Sequence, residues 1–100
     1  MYTTINAEEA KALIAANENI RILDVRDHRS YRAGHIEGAV MLHDGLEARI
    51  LEDAEYDRPI LVYCYRGVKS KEKAELFDGT GFKQVYMLDG GYANWPREAP

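Results

Sequence analysis

Apolar residues gather in short clusters along the chain, separated by longer charged stretches compatible with helix. The most apolar cluster is PILVY (59–63), nearly unbroken, as a parallel strand covered on both faces requires. IRILDV (20–25) is a second strand-like run, rich in β-branched and apolar residues. GAVML (38–42) and QVYML (84–88) add two more, and a short first strand closes at Ile5. Asn6 can cap a helix running to about Asn17, and Glu9, three residues on, completes a capping-box pattern. RSYRAG reads as a helical turn stopped by Gly34, and GLEARILE (45–52) as a helix with Leu46 and Ile50 four apart. Ser70 is placed to cap a helix carrying Ala74, Leu76 and Phe77, and GGYANW (90–95) is a glycine turn into a last short helix. Five short strands separated by helices predict an α/β domain with a mainly parallel sheet.

Composition narrows this picture. One hundred residues suit one domain spanning 1–100, and no repeat, low-complexity tract or linker divides them. Hydrophobic residues at 46% can fill a core, and 30% charged residues argue against disorder. A net charge of −4 offers no footprint for nucleic acid or an anionic membrane surface. No apolar run approaches the roughly 20 residues of a membrane span, and MYTTINAEEA lacks the basic flank and apolar core of a secretory signal. Cys64 is the single cysteine, which excludes an internal disulfide framework and fits a reducing cytoplasm.

The position of that cysteine carries the chemistry. In parallel sheets, ligands sit beyond the carboxyl ends of the strands, and Cys64 lies at that end of the most apolar one. The following YRGVK is too polar for buried strand, and Gly67 permits positive φ. Ser70 then opens a helix whose first amides have no internal partners. A strand, loop and helix start arranged in this way point N–H groups inward and stabilise an anion. Arg66 and Lys69 add two cations with no acid between residues 64 and 70, and Lys71 and Lys73 follow, partly offset by Glu72. Such surroundings predict a thiol pKa below its reference of about 8.5; a drop of one to two units raises the thiolate fraction at pH 7 from a few per cent to roughly a quarter to three quarters. The alternative is a small buried hydrophobe, the common state of a free cysteine. Cysteine phosphatases close a similar cradle with an arginine six residues after the cysteine, for bidentate oxyanion binding. Here that residue is Ser70, with Lys69 one earlier. The shorter cradle suits one extra sulfur atom better than a phosphate.

Four segments resemble the rhodanese family, specifically its small single-domain sulfurtransferases. ILDVRDHRSYRAGHIEGAVML (22–42) is similar to the family's Asp-Val-Arg and Gly-His-Ile-x-Gly-Ala segments, and ILVYCYRGVKS (60–70) to its strand and six-residue loop, Cys64 to Lys69. GF (81–82) and VYMLDGGYANW (85–95) are similar to its closing region with paired glycines and a tryptophan. The resemblance implies a five-stranded parallel sheet flanked by helices on both faces. It also implies sulfane sulfur transfer from thiosulfate or a similar small anionic donor through a persulfide on Cys64. Loop residues Tyr65, Arg66, Gly67, Val68, Lys69 and Ser70 would hold the donor and the terminal sulfur. Cyanide in vitro, or a thiol or sulfur-accepting protein in cells, would take the sulfur, with no metal or organic cofactor. Two other readings stand beside it: a sulfur-relay or partner-binding module with little free-thiosulfate activity, and a cysteine phosphatase or arsenate-reductase-like enzyme. Two departures from the family pattern are the apolar Val68 in the loop and FDGTGF (77–82), where Asp78, Gly79 and Thr80 predict an early helix stop.

Other polar residues have more structural readings. Asp24 and Arg26 end the second strand on the edge of Cys64 and are expected to form an ion pair bracing the loop. His35 is expected to hydrogen-bond backbone in the turn between Gly34 and Gly38, and His28 and His43 to be exposed, with no zinc-ligand spacing. The seven tyrosines suit half-buried sheet edges, apart from Tyr65 in the loop, and Trp95 anchors the last helix.

Overall fold

In the computed structural model, which describes residues 1–96, five parallel strands form one sheet in the order β1-β5-β4-β2-β3. The strands are β1 (Thr3–Ile5), β2 (Arg21–Asp24), β3 (Val40–Met41), β4 (Ile60–Tyr63) and β5 (Val85–Leu88). Between them run α1 (Ala7–Ala16), α2 (His28–Ala33), α3 (Asp44–Asp53) and α4 (Lys69–Thr80), and a 3₁₀ turn, Gly91–Asn94, follows β5. All five strands are where the apolar runs place them: β1 closes at Ile5 as expected, and the other four are shorter than their runs, the third keeping only Val40 and Met41. It is an edge strand, so pairing on one side alone sustains the short ladder.

Every residue of β4 is buried, and successive residues serve opposite faces. Leu61 and Tyr63 pack with Ala10, Leu13 and Ile14 of α1, while Ile60 and Val62 pack with Ile50 of α3 and Ala74 and Phe77 of α4. Helices therefore cover both faces of the sheet. Lys73 of α4 also pairs with Glu47 of α3 at 2.6 Å.

Local chemistry explains the helix ends. Asn6 accepts from the Glu9 amide at 2.8 Å while the Glu9 carboxylate accepts from the Asn6 amide at 2.9 Å, the reciprocal capping box expected from the sequence. Asp27 caps α2 through the Ser30 amide, and Gly34 ends it. Two expectations for α4 do not hold. The helix does not stop at Asp78 but continues through Gly79 to Thr80, because Ala74 and Phe77 anchor it and Gly81, at φ 125°, supplies the terminator. Ser70 is not its cap: Val68 holds that position without a side-chain bond, and Ser70 lies within the first turn. Of the apolar residues the helix carries, Ala74 and Phe77 are buried and Leu76 is exposed. Among the tyrosines, Tyr63 and Tyr92 are buried rather than at half-wet edges.

Candidate active site

The register of the sheet brings the chemistry to one edge. Asp24 pairs with Tyr63 across β2 and β4, and the Val25 amide donates to the Tyr63 carbonyl at 2.8 Å. Beyond these ends the chain departs in opposite directions, β2 toward β3 and β4 toward β5, and a crevice opens between them. Cys64 is the first residue past β4.

Its side chain is only 4% exposed. Burial alone would suit an inert hydrophobe, but here polar groups surround the sulfur. The Gly67 amide donates to Sγ at 3.0 Å, and Ser70 Oγ lies 3.4 Å from Sγ on its buried side. Gly67 has φ 87°, a conformation that glycine adopts without strain and that turns its amide toward the sulfur. The sulfur takes the place of the missing α4 cap, since no side chain caps Val68. Desolvation pushes the thiol pKa up, but the Ser70 hydroxyl and the amides of Ser70, Gly67 and Lys69 outweigh it, and the pKa falls below its ordinary value. The direction is the one the sequence implied; the leading causes are hydrogen bonds rather than the loop cations.

Those cations face outward. Arg66 and Lys69 are exposed, and the Arg66 guanidinium lies 5.7 Å from the centre of the Tyr65 ring. With Tyr65 49% and Val68 76% exposed, the loop has two apolar lips around a cationic rim. Cys64 opens into a cleft of about 300 Å³ walled by Tyr65, Arg66, Val68 and Lys69 on the loop side. Arg26, Asp27 and Ser30 form the other wall. Of the six residues expected to surround the sulfur, four line this cleft, while Gly67 and Ser70 act from behind through an amide and a buried hydroxyl.

Asp24 and Arg26 form the expected ion pair, and it is buried. Asp24 is fully shielded, and its carboxylate accepts from the Arg26 amide (2.8 Å), Nε (3.0 Å) and Nη2 (2.6 Å), and from the Tyr63 hydroxyl at 2.8 Å. The Tyr63 oxygen in turn accepts from the Ile36 amide at 3.1 Å, and burial together with Asp24 raises its pKa. Arg26 Nη2 also donates to the Gly34 carbonyl, and the guanidinium stacks 4.3 Å from the centre of the Tyr92 ring. This network ties β2, β4 and the start of the β3 approach to the turn after β5.

His35 stands apart from the Cys64 cleft. It is exposed, Nδ1 lies 2.8 Å from the Tyr31 carbonyl in α2 rather than from the 34–38 turn, and its ring stacks on Tyr31. With Trp95, which is half-buried under Lys11, it borders a separate groove of about 510 Å³ that contains no thiol. His28 and His43 are exposed, and His43 caps α3 by accepting from the Leu46 amide.

Gly91 is a positioning residue not assigned from the sequence. The Tyr92 amide donates to the Cys64 carbonyl at 2.8 Å and the Ala93 amide to the Tyr65 carbonyl at 2.9 Å. A Cβ on Gly91 would overlap the Cys64 oxygen and lie 2.6 Å from that of Tyr65. The glycine pair after β5 was the visible signal; its partner was not.

A parallel α/β sheet presenting one acidified thiol among the amides of a short loop at its carboxyl edge defines a cysteine-loop protein. The Rhodanese-like domain family matches residues 6–98, and the chain belongs to that family. A thiosulfate sulfurtransferase GlpE of Pseudomonas entomophila is 39% identical over 99% of this chain and 89% of its own length. A protein of the same name from Shewanella oneidensis is 40% identical over 78% of this chain and 77% of its own. The solution structure of a rhodanese-like domain from an Anabaena protein superposes with a TM-score of 0.77 at 33% identity, covering 95% of this chain and 74% of that one.

Proposed function

We propose that the 100 residues are one rhodanese-like domain with thiosulfate sulfurtransferase activity, working in a reducing cytoplasm that keeps its single thiol free. The Cys64 thiolate attacks the outer sulfur of thiosulfate; the S–S bond of the donor breaks, and sulfite leaves with the electron pair. Cys64 then carries a persulfide, Cys64–S–S⁻. The loop amides from Tyr65 to Ser70 stabilise the terminal sulfur as an oxyanion hole stabilises oxygen. Arg66 and Lys69 attract the anionic donor and assist the departure of sulfite. A cyanide ion in vitro, or a thiol or sulfur-accepting protein in cells, attacks the terminal sulfur and restores the thiolate, completing a ping-pong cycle. The observation that carries this reading is the acidified sulfur at the floor of a cleft, held by the Gly67 amide and the Ser70 hydroxyl.

A phosphatase would need a guanidinium at the closing end of the loop. Ser70 occupies that point, buried against the sulfur. Intact-mass measurement after thiosulfate treatment tests the proposal: one added sulfur, removable by a reductant, is expected for the protein and none for Cys64→Ser. Uptake by the Cys64→Ser variant would refute the assignment. Sulfur uptake without thiocyanate production from cyanide would turn the reading to a relay module, and hydrolysis of an aryl phosphate to a phosphatase.

A further inference from the structure

Among the described residues, one acid lines the cleft over Cys64. Asp27 lines it with Arg26 and Ser30, across from Arg66 and Lys69. Its carboxylate cannot swing freely, because as the cap of α2 it accepts from the Ser30 amide at 2.7 Å. The Ser30 hydrogen bonds keep Asp27 ionised, and the charge of Lys69 assists them. Arg26 is already neutralised by Asp24, so the charges a ligand meets here, among the described residues, are two exposed cations, Arg66 and Lys69, and one fixed anion. A cleft of about 300 Å³ holds a bound anion and this carboxylate within a Debye length of each other, about 8–10 Å at moderate salt.

We propose that Asp27 is a specificity-determining residue that sets the charge preference of the cleft, disfavouring dianionic sulfur donors relative to donors of lower charge. The proposal rests on the sulfurtransferase reading. The step it modulates is balanced: a thiolate and a thiosulfate dianion give a persulfide anion and a sulfite dianion. Three negative charges are gathered on either side of the step, and Asp27 adds a fourth. With a monoanionic thiosulfonate the chemistry is the same, the leaving group is a sulfinate, and the repulsion is halved.

Asp27→Asn tests this, since asparagine caps a helix as well as aspartate does while carrying no charge. Second-order rates of persulfide formation would be read by intact mass on the full chain, with thiosulfate and with methanethiosulfonate, at about 20 mM and about 1 M salt, where the Debye length shrinks to roughly 3 Å. The expected result at low salt is a gain of about threefold with thiosulfate, the scale of a solvent-screened charge pair. A smaller gain is expected with methanethiosulfonate, and both should vanish at high salt. Equal gains with the two donors, a gain that survives salt, or no gain would overturn the proposal. If Asn leaves the rates unchanged while Asp27→Ala slows both donors, Asp27 is a cap only, and the proposal also fails. Loading without charge dependence leaves the sulfurtransferase reading standing; absence of loading from either donor by the unaltered protein removes both.

Discussion

Replacing Gly91 with alanine should damage both stability and sulfur loading, although Gly91 touches no substrate. Its φ is 62°, and a residue with a Cβ pays about 1–2 kcal/mol in that region. The new methyl would also overlap the Cys64 carbonyl oxygen and lie 2.7 Å from the Tyr65 carbonyl carbon. Both obstacles are backbone, so neither can rotate aside. The turn must retreat, loosening the Tyr92 and Ala93 amide bonds to the Cys64 and Tyr65 carbonyls, each worth about 1 kcal/mol. A loss of about 3 kcal/mol follows, or roughly 15 °C in Tm for a domain of this size. Because those carbonyls belong to the first two residues of the loop, a displacement of about 1 Å there should slow sulfur loading on the order of 100-fold. Urea melts and the rate of sulfur uptake by intact mass would measure the two effects. Gly90→Ala is the control: its φ is also positive, at 72°, but the atoms nearest the added methyl belong to the Asn94 side chain, which can turn away, rather than to backbone. It should cost about 1 kcal/mol and leave loading within a few-fold. Wild-type stability and loading in Gly91→Ala would refute the claim that the glycine turn seats the loop.

Gly79→Ala should stabilise the protein by about 0.5–1 kcal/mol, since Gly79 is inside α4 and an added methyl meets nothing within 4 Å; a thermal melt would show it. Asp24→Asn should cost about 3–5 kcal/mol in a urea titration, because it leaves the Arg26 guanidinium, 8% exposed, without its countercharge. Ser70→Ala removes a hydrogen bond that lowers the thiol pKa, so the pH midpoint of iodoacetamide alkylation should move upward. A folded pKa below the unfolded one means the native state holds the thiolate more tightly. Relative to Cys64→Ser, the native protein should therefore gain stability as pH rises from the lowered pKa toward the ordinary thiol value, and lose it as pH falls through the lowered one, measured by melts across that range.

The strands, the capping box and the Gly34 stop were legible because their causes are local: β-branched runs, an Asn-x-x-Glu pair, a glycine after a turn. The place of Cys64 at the carboxyl end of the sheet, beside a cleft, was legible for a related reason, since a residue after the most apolar run and before a glycine loop lies at a strand end in any parallel sheet. The continuation of α4 past Gly79 was not legible, because an intrinsic helix cost of about 1 kcal/mol is outweighed by burying Ala74 and Phe77 against a sheet the local sequence does not describe. Residue order likewise lines up Arg66 and Lys69 beside a thiol but says nothing about the direction of an amide. Only the packed loop aims the Gly67 N–H and the Ser70 hydroxyl at the sulfur, and only the register of β2 against β4 buries Asp24 against Tyr63. Chain chemistry thus chose the thiol and its neighbours; the packed tertiary structure decided what acidifies that thiol, what braces its loop, and which carboxylate shares its cleft.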